Sequence, residues 1–196
     1  MLPSATLDED DRDLIRRVAD RDRGAFETLY RRYGPRLHRY LSKVIRRSDI
    51  AEEALDDVML AVWQSAARFN YGSRVSTWIL GIAHHKALKA RARLSGHGLE
   101  SAVSEQHAAA EEGPEDVTVR GELNRLLAKG LEALSPEQRA VVELTFFEEQ
   151  SYQEIAEITR CPVNTVKTRM FHARRRLAPL LAAFGIGSRP PMQTPR

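Results

Sequence analysis

The segment from Ser151 to Leu177 constrains the fold most strongly, because it carries start and stop signals for two short helices in succession. Ser151 stands three residues before Glu154, which is the spacing of a capping box at the start of a helix. That helix must end before Pro162, since a residue that precedes proline avoids helical backbone angles, and the proline can begin the next helix. The pattern predicts a helix-turn-helix.

The second helix of this pair is amphipathic. Its apolar residues recur every three or four positions and predict a core stripe of Val163, Val166, Met170, Ala173 and Leu177. Its opposite face carries donors, small hydroxyls and one aromatic ring, at Asn164, Thr165, Lys167, Thr168, Phe171, His172 and Arg175. From Ile158 onward the chain holds no acid, so this face can approach base edges and phosphates in a major groove. A solvated amphipathic helix and, for Phe171, a core ring are the alternatives.

Helical periodicity continues through most of the chain, whereas strand and hairpin signals are weak. We therefore predict an all-α protein of two helical domains joined by a flexible acidic linker. Within the first domain, Gly34 and Pro35 are expected to interrupt a helix, and one helix is expected to run from Ser48 to Phe69. The predicted parts are a tail at 1–10, a first domain at 11–95, a linker at 96–118, a second domain at 119–184 and a disordered tail at 185–196.

Charge is distributed unevenly along the 196 residues, although the net charge is only +3. The stretch from Val58 to Leu99 lacks acids but holds several Lys and Arg, as does the chain after Ile158. Two separate basic blocks suggest two surfaces for a polyanion. Cys161 is the single cysteine, so a disulfide framework and a cysteine-based zinc site are excluded. The acidic N-terminus lacks the apolar core of a signal peptide, which fits residence in the cytoplasm.

Several stretches together resemble the extracytoplasmic-function (ECF) sigma factors. LSPEQRAVVELTFFEEQSYQEIAEITRCPVNTVKTRMFHARRRL resembles their region 4, although LuxR-type regulators share a similar helix-turn-helix. AFETLYRRYGPRLHRYL resembles the opening of region 2, DIAEEALDDVMLAVWQSAARFN its polymerase-docking helix, and YGSRVSTWILGIAHHKALKARAR its −10-reading loop and helix. The resemblance covers about residues 11 to 181.

An acidic helix face in the first domain suits a protein partner better than DNA. By resemblance it docks on the β′ clamp of core RNA polymerase, and a plain solvated face is the alternative. The face consists of Asp49, Glu52, Glu53, Asp56, Asp57, Leu60 and Trp63.

The resemblance also implies two promoter contacts. A base of the −10 strand would be flipped into a pocket made by a loop and the following helix, with basic side chains on the phosphates. The residues concerned are Asn70, Gly72, Ser73, Arg74, Ser76, His85, Lys86 and Lys89. His85 replaces an asparagine that commonly contacts a base in the family, and Trp78 is interpreted as a core residue. Lys167, Thr168, Phe171 and His172 fall where relatives contact the −35 element, and Asn164 replaces a common glycine.

The implied partners are core RNA polymerase, through its β′ clamp and β flap, promoter DNA and an anti-sigma factor. The chain is expected to be a monomer when free and to form a 1:1 complex with that factor. The acidic linker either threads through the polymerase or is a solvated tether. No catalytic residue, metal site, cofactor or small-molecule substrate is predicted, because no nucleophile elbow, phosphate loop or metal-spaced cluster occurs. A LuxR-type regulator and a nucleic-acid enzyme that uses His84 and His85 are the alternatives.

Overall fold

The computed structural model describes residues 4–96, 130, 131 and 133–182 of the chain. These residues form seven α-helices and one 3-10 turn, without a strand, which confirms the all-α prediction. The elements are α1 (Ser4–Ala19), α2 (Arg23–Ile45), α3 (Ser48–Ser65), the 3-10 turn (Ala66–Arg68), α4 (Val75–Gly96), α5 (Pro136–Phe146), α6 (Tyr152–Thr159) and α7 (Val163–Ala182). Nearly all of the predicted linker, the start of the predicted second domain and the predicted C-terminal tail lie outside the described residues. None of the described helices combines the length and hydropathy that crossing a bilayer requires.

The helix α2 runs unbroken through Pro35, so the predicted interruption is wrong. A proline inside a helix removes one backbone hydrogen bond and costs about 3 kcal/mol. Burial offsets this cost, because Tyr33 and Leu37 on either side of the proline are 4% and 0% exposed. Gly34 is also buried, and a Cβ atom there would lie 3.4 Å from the Tyr30 ring. Tertiary packing therefore holds α2 in one piece where the local sequence favours a break.

The ends of two other helices also differ from the prediction. The helix α1 begins at Ser4, inside the stretch that the sequence suggested was a tail. Asp8 stabilises this early turn, because its carboxylate accepts a hydrogen bond from Arg12 four residues later, at 2.9 Å. The helix α3 ends at Ser65, and a 3-10 turn leads into the buried Phe69 rather than a continuous helix.

Two helices of the C-terminal unit, α5 and α6, begin at the predicted capping boxes. The Ser135 hydroxyl accepts from the Gln138 backbone N–H at 3.3 Å, and Ser151 accepts from Glu154 in the same way at 3.3 Å. In both boxes the side chain of the third residue also reaches back to the backbone N–H of the serine. The helix α6 ends at Thr159, and its C-cap residue Arg160 has a φ of 49°, the left-handed conformation of a helix cap.

The two helical units pack against each other, and their buried apolar side chains form one continuous cluster. The helix α6 lies on α4, where a Cβ atom added to Gly81 would come within 3.9 Å of the Ile158 Cα atom. Beside this contact, the carboxylate of Glu148 is 1% exposed and pairs with Arg36 and, at 3.6 Å, with Arg39. Both arginines belong to α2, so Glu148 ties the α5–α6 turn to the first unit.

Candidate nucleic-acid interface

The outer face of α7 is open to solvent. On its inner face, Val166, Met170 and Ala173 are at most 2% exposed and pack in the core. The Phe171 side chain is 58% exposed, so its interpretation as a core ring is wrong. The predicted −35 residues other than the half-buried Thr165 are exposed together on this face: Asn164, Lys167, Thr168, Phe171, His172 and Arg175. The arrangement presents donors and one apolar ring along a single helix, as major-groove recognition requires.

A concave surface of about 430 Å³ lies between α7 and the start of α5. It is lined by Ser135, Glu137, Gln138, Asn164, Thr165, Thr168, Arg169 and His172. Burial alone would raise the pKa of Glu137, but hydrogen bonds from its own backbone and from Ser135, together with Arg169, lower it below the usual value. An ionised carboxylate thus borders α7. No pattern within α7 predicts it, because Glu137 belongs to another helix.

The loop before α4 is largely exposed, with Ser73 half-buried. Asn70 folds back so that its side-chain oxygen accepts from the Gly72 N–H at 3.0 Å, which closes an Asx turn. From α1, Arg12 donates to the Ser73 carbonyl at 3.3 Å, and Asp8 accepts from the Val75 N–H at 3.3 Å. The structure thus brings the polar loop residues together and supports them from α1. No local sequence signal links residues separated by more than sixty positions, so these contacts could not be predicted.

The remaining predicted −10 residues are spread along α4. Arg74 pairs with Glu154 of α6 at 3.4 Å, and Ser76 is half-buried. Lys86 and Lys89 lie about three to three and a half turns beyond Ser76, roughly 15 to 20 Å along the axis at 1.5 Å per residue. Lys86 also pairs with Asp57 at 3.0 Å. The structure therefore does not bring the lysines to the loop itself.

The two adjacent histidines face the interface between the units. His84 is 3% exposed, and its Nδ1 atom lies 2.9 Å from the Tyr40 hydroxyl. Burial, then the neighbouring His85 and Arg169, lowers the pKa of His84 to about 4. The pKa of His85 is lowered by burial and by Arg160 of the C-terminal unit. Its Nε2 atom is buried and has no hydrogen-bond partner within the described ranges. With the two units packed in this way, which we call the closed arrangement, His85 is half-covered.

The acidic face of α3 is exposed and belongs to a different unit from α7. Its acids are all solvent-accessible: Asp49, Glu52, Glu53, Asp56 and Asp57. Leu60 is 52% exposed beside them. Trp63 is half-buried, with its ring 5.1 Å from Phe26 and the Arg21 guanidinium 5.3 Å above it. An exposed leucine and a supported tryptophan beside a row of carboxylates form a face suited to a basic protein partner.

Family models match both units of the chain. The sigma-70 region 2 model matches residues 29–96, and the sigma-70 region 4 model matches residues 124–177. Among curated proteins, the chain is similar to the ECF RNA polymerase sigma factor SigK of Mycobacterium tuberculosis H37Rv. The two are 30% identical over 171 residues, which span 84% of this chain and 89% of the relative. SigK of Mycobacterium sp. KMS is also 30% identical, over 86% of this chain and 88% of its own.

Two solved structures share the fold. The structure of CnrH in complex with the cytosolic domain of CnrY has a TM-score of 0.66 at 24% identity, over 89% of this chain and 98% of that chain. The sigma factor RpoE of Bartonella quintana, crystallised with the anti-sigma factor NepR, has a TM-score of 0.64 at 25% identity. The match covers 80% of this chain and 96% of that chain. The chain belongs to the ECF RNA polymerase sigma factors, which are transcription initiation factors. A LuxR-type regulator would not account for the region 2 match.

Proposed function

We propose that this sigma factor binds core RNA polymerase through the acidic face of α3 and reads a promoter at two separate places. The outer face of α7 reads the duplex −35 element, and the loop before α4 holds the unpaired −10 strand. The observation that carries this proposal is the separation of charge. The acid-free outer face of α7 suits DNA, while the carboxylates of α3 lie on a different unit, where they suit a protein.

The closed packing of the two units bears on how promoter reading begins. The acidic face of α3 and the outer face of α7 are both exposed while α6 lies on α4. His85 is half-covered in the same arrangement. The polymerase and the −35 element can therefore be engaged first, and full use of α4 on the −10 strand follows once the units separate. The β flap is the proposed partner of the C-terminal unit.

The chain acts without catalysis of its own, and its place of action is the cytoplasm, where core polymerase and promoter DNA are found. An anti-sigma factor is the proposed regulator, in a 1:1 complex with the otherwise monomeric chain. The likeness to a sigma factor crystallised with an anti-sigma factor supports this regulation. A pull-down from uninduced cells should recover such a partner, and recovery of polymerase subunits alone would contradict it.

Run-off transcription tests the proposal. Purified chain and core polymerase are combined on a promoter library, and enriched templates are sequenced. We expect transcripts that share two conserved elements at a fixed spacing, and only when both chain and core are present. Binding of the chain alone to one duplex element, with no transcripts from any template, would refute the proposal.

A further inference from the structure

Tyr71 is the least expected side chain in the loop before α4. Its backbone has φ of 57°, the left-handed region, which a bulky residue adopts only at a cost of about 1 kcal/mol or more. Glycine or asparagine would be the natural choice there, and Gly72 follows immediately. Strain of this kind is kept where the surrounding structure fixes it, and it concentrates at binding sites.

The ring of Tyr71 is held in place but is not buried. It is 37% exposed, and its centroid lies 4.9 Å from that of Phe69, which in turn lies 4.9 Å from the Trp78 ring. The Arg12 guanidinium lies 6.0 Å from the Tyr71 centroid, within the range of a cation–π contact. Tyr71 is thus the outermost member of a row of three aromatic rings whose inner member, Phe69, is buried.

Each feature of this arrangement suits an unpaired base. Proteins that hold single strands combine a groove of basic charge with aromatic rings on which bases stack. No acid occurs between Val58 and Leu99, and the loop is exposed. Arg12 also fixes the loop backbone through the Ser73 carbonyl and is itself held by Asp8 at 2.9 Å, so its guanidinium orients the loop and is fixed beside the ring.

We infer that Tyr71 is a stacking platform for an unpaired base of the −10 strand, and that Arg12 of α1 is its positioning residue. This inference rests on the proposed function and adds a specific contact to it. A plain turn residue would have no need of an aromatic ring, whereas a stacking residue needs an exposed, pre-oriented π face.

Four variants separate a loss of stacking from a loss of folding. Tyr71→Leu keeps apolar bulk but removes the π face, and Tyr71→Phe keeps the face. Tyr71→Gly removes the ring and relieves the strained backbone, so we expect its melting temperature to equal or exceed that of the unaltered chain. Arg12→Gln removes the guanidinium, and we expect it to weaken binding less than Tyr71→Leu.

The assay uses holoenzyme and a fluorescent single-stranded oligonucleotide with the −10 sequence of a promoter that the holoenzyme transcribes. We expect Tyr71→Leu and Tyr71→Gly to weaken binding about 5- to 150-fold, and Tyr71→Phe to bind like the unaltered chain. An abasic site is then placed at each position in turn. At the position of the stacked base, the difference between Tyr71→Leu and the unaltered chain should vanish.

Equal binding by Tyr71→Leu, or a loss that persists at every abasic position, overturns the stacking role. If the unaltered chain yields no run-off transcript with core polymerase, the proposed function fails as well. A transcript from the unaltered chain with unchanged binding by Tyr71→Leu overturns the stacking inference alone.

Discussion

Replacing Glu148 with glutamine should loosen the packing of the two helical units. The substitution keeps the shape of a side chain that is 1% exposed, but it removes the charge that faces Arg36 and Arg39. Breaking a fully buried ion pair costs about 3–5 kcal/mol. The arginine side chains remain 33% and 54% exposed and can regain water, so we expect a smaller loss of about 1–3 kcal/mol. That loss raises the ratio of open to closed chains about 5- to 150-fold.

Small-angle X-ray scattering measures this change directly, because the radius of gyration rises when the units separate. Glu149→Gln is the matched control, since it makes the same chemical change at the neighbouring, exposed position. We expect Glu148→Gln to have a larger radius and a lower urea midpoint than the control. If both variants are equally compact and equally stable, the ion pair does not hold the units together and the reasoning is refuted.

Three further predictions concern DNA, polymerase and pH. Lys167→Glu should weaken binding of holoenzyme to −35 duplex DNA by about 1–3 kcal/mol, measured by fluorescence anisotropy, because it removes a donor and adds an anion. Reversing both Asp56 and Asp57 to lysine should lower the affinity for core polymerase in a pull-down while the circular dichroism spectrum stays unchanged. His84 should make folding sensitive to acid. Its pKa of about 4 lies below the usual 6.5, so the unfolded chain takes up the proton first as pH falls. The free energy of unfolding should therefore drop by about 2 kcal/mol between pH 7 and pH 5, and His84→Gln should lose this part of the drop.

Controls sharpen these three tests. Lys167→Glu must bind core polymerase normally, and unchanged −35 selection would remove Lys167 from the interface. For the acidic face, Glu9→Lys with Asp10→Lys makes an equal charge change on the exposed part of α1. Equal losses in both double variants would mean that overall charge, rather than the α3 face, governs binding. For His84, an identical pH dependence before and after substitution would show that other groups cause the acid sensitivity.

Local signals predicted the helix-turn-helix correctly. The serines at 135 and 151 form the expected caps, and α6 ends before Pro162, as the steric restriction on the residue before a proline predicts. The solvent-facing set on α7 was also predictable, because a stripe of apolar residues defines which face is left outside. In each case the residues that determine the local structure lie within a few positions of it in the sequence.

Other features depend on contacts that a local pattern does not contain. The helix α2 passes through Pro35 because the residues on either side of the proline, Tyr33 and Leu37, are buried. The loop before α4 is supported by Asp8 and Arg12, which precede it by more than sixty residues. Likewise, nothing near His85 in the sequence indicates that the C-terminal unit would half-cover it. The roles of these residues toward DNA and polymerase remain predictions for the experiments above.

Gly81 gives the packing of the two units a consequence for the step that follows binding of polymerase and the −35 element. Only ordinary contact distance separates a Cβ atom at this position from the backbone of α6, so alanine fits but a larger side chain would push the units apart. The apparent affinity of a two-state protein falls with the fraction that is in the competent form. In the proposed order of engagement, the form competent for the −10 strand is the one in which the units have separated. The absence of a side chain at position 81 would thus lower the fraction of bound complexes that go on to hold the −10 strand.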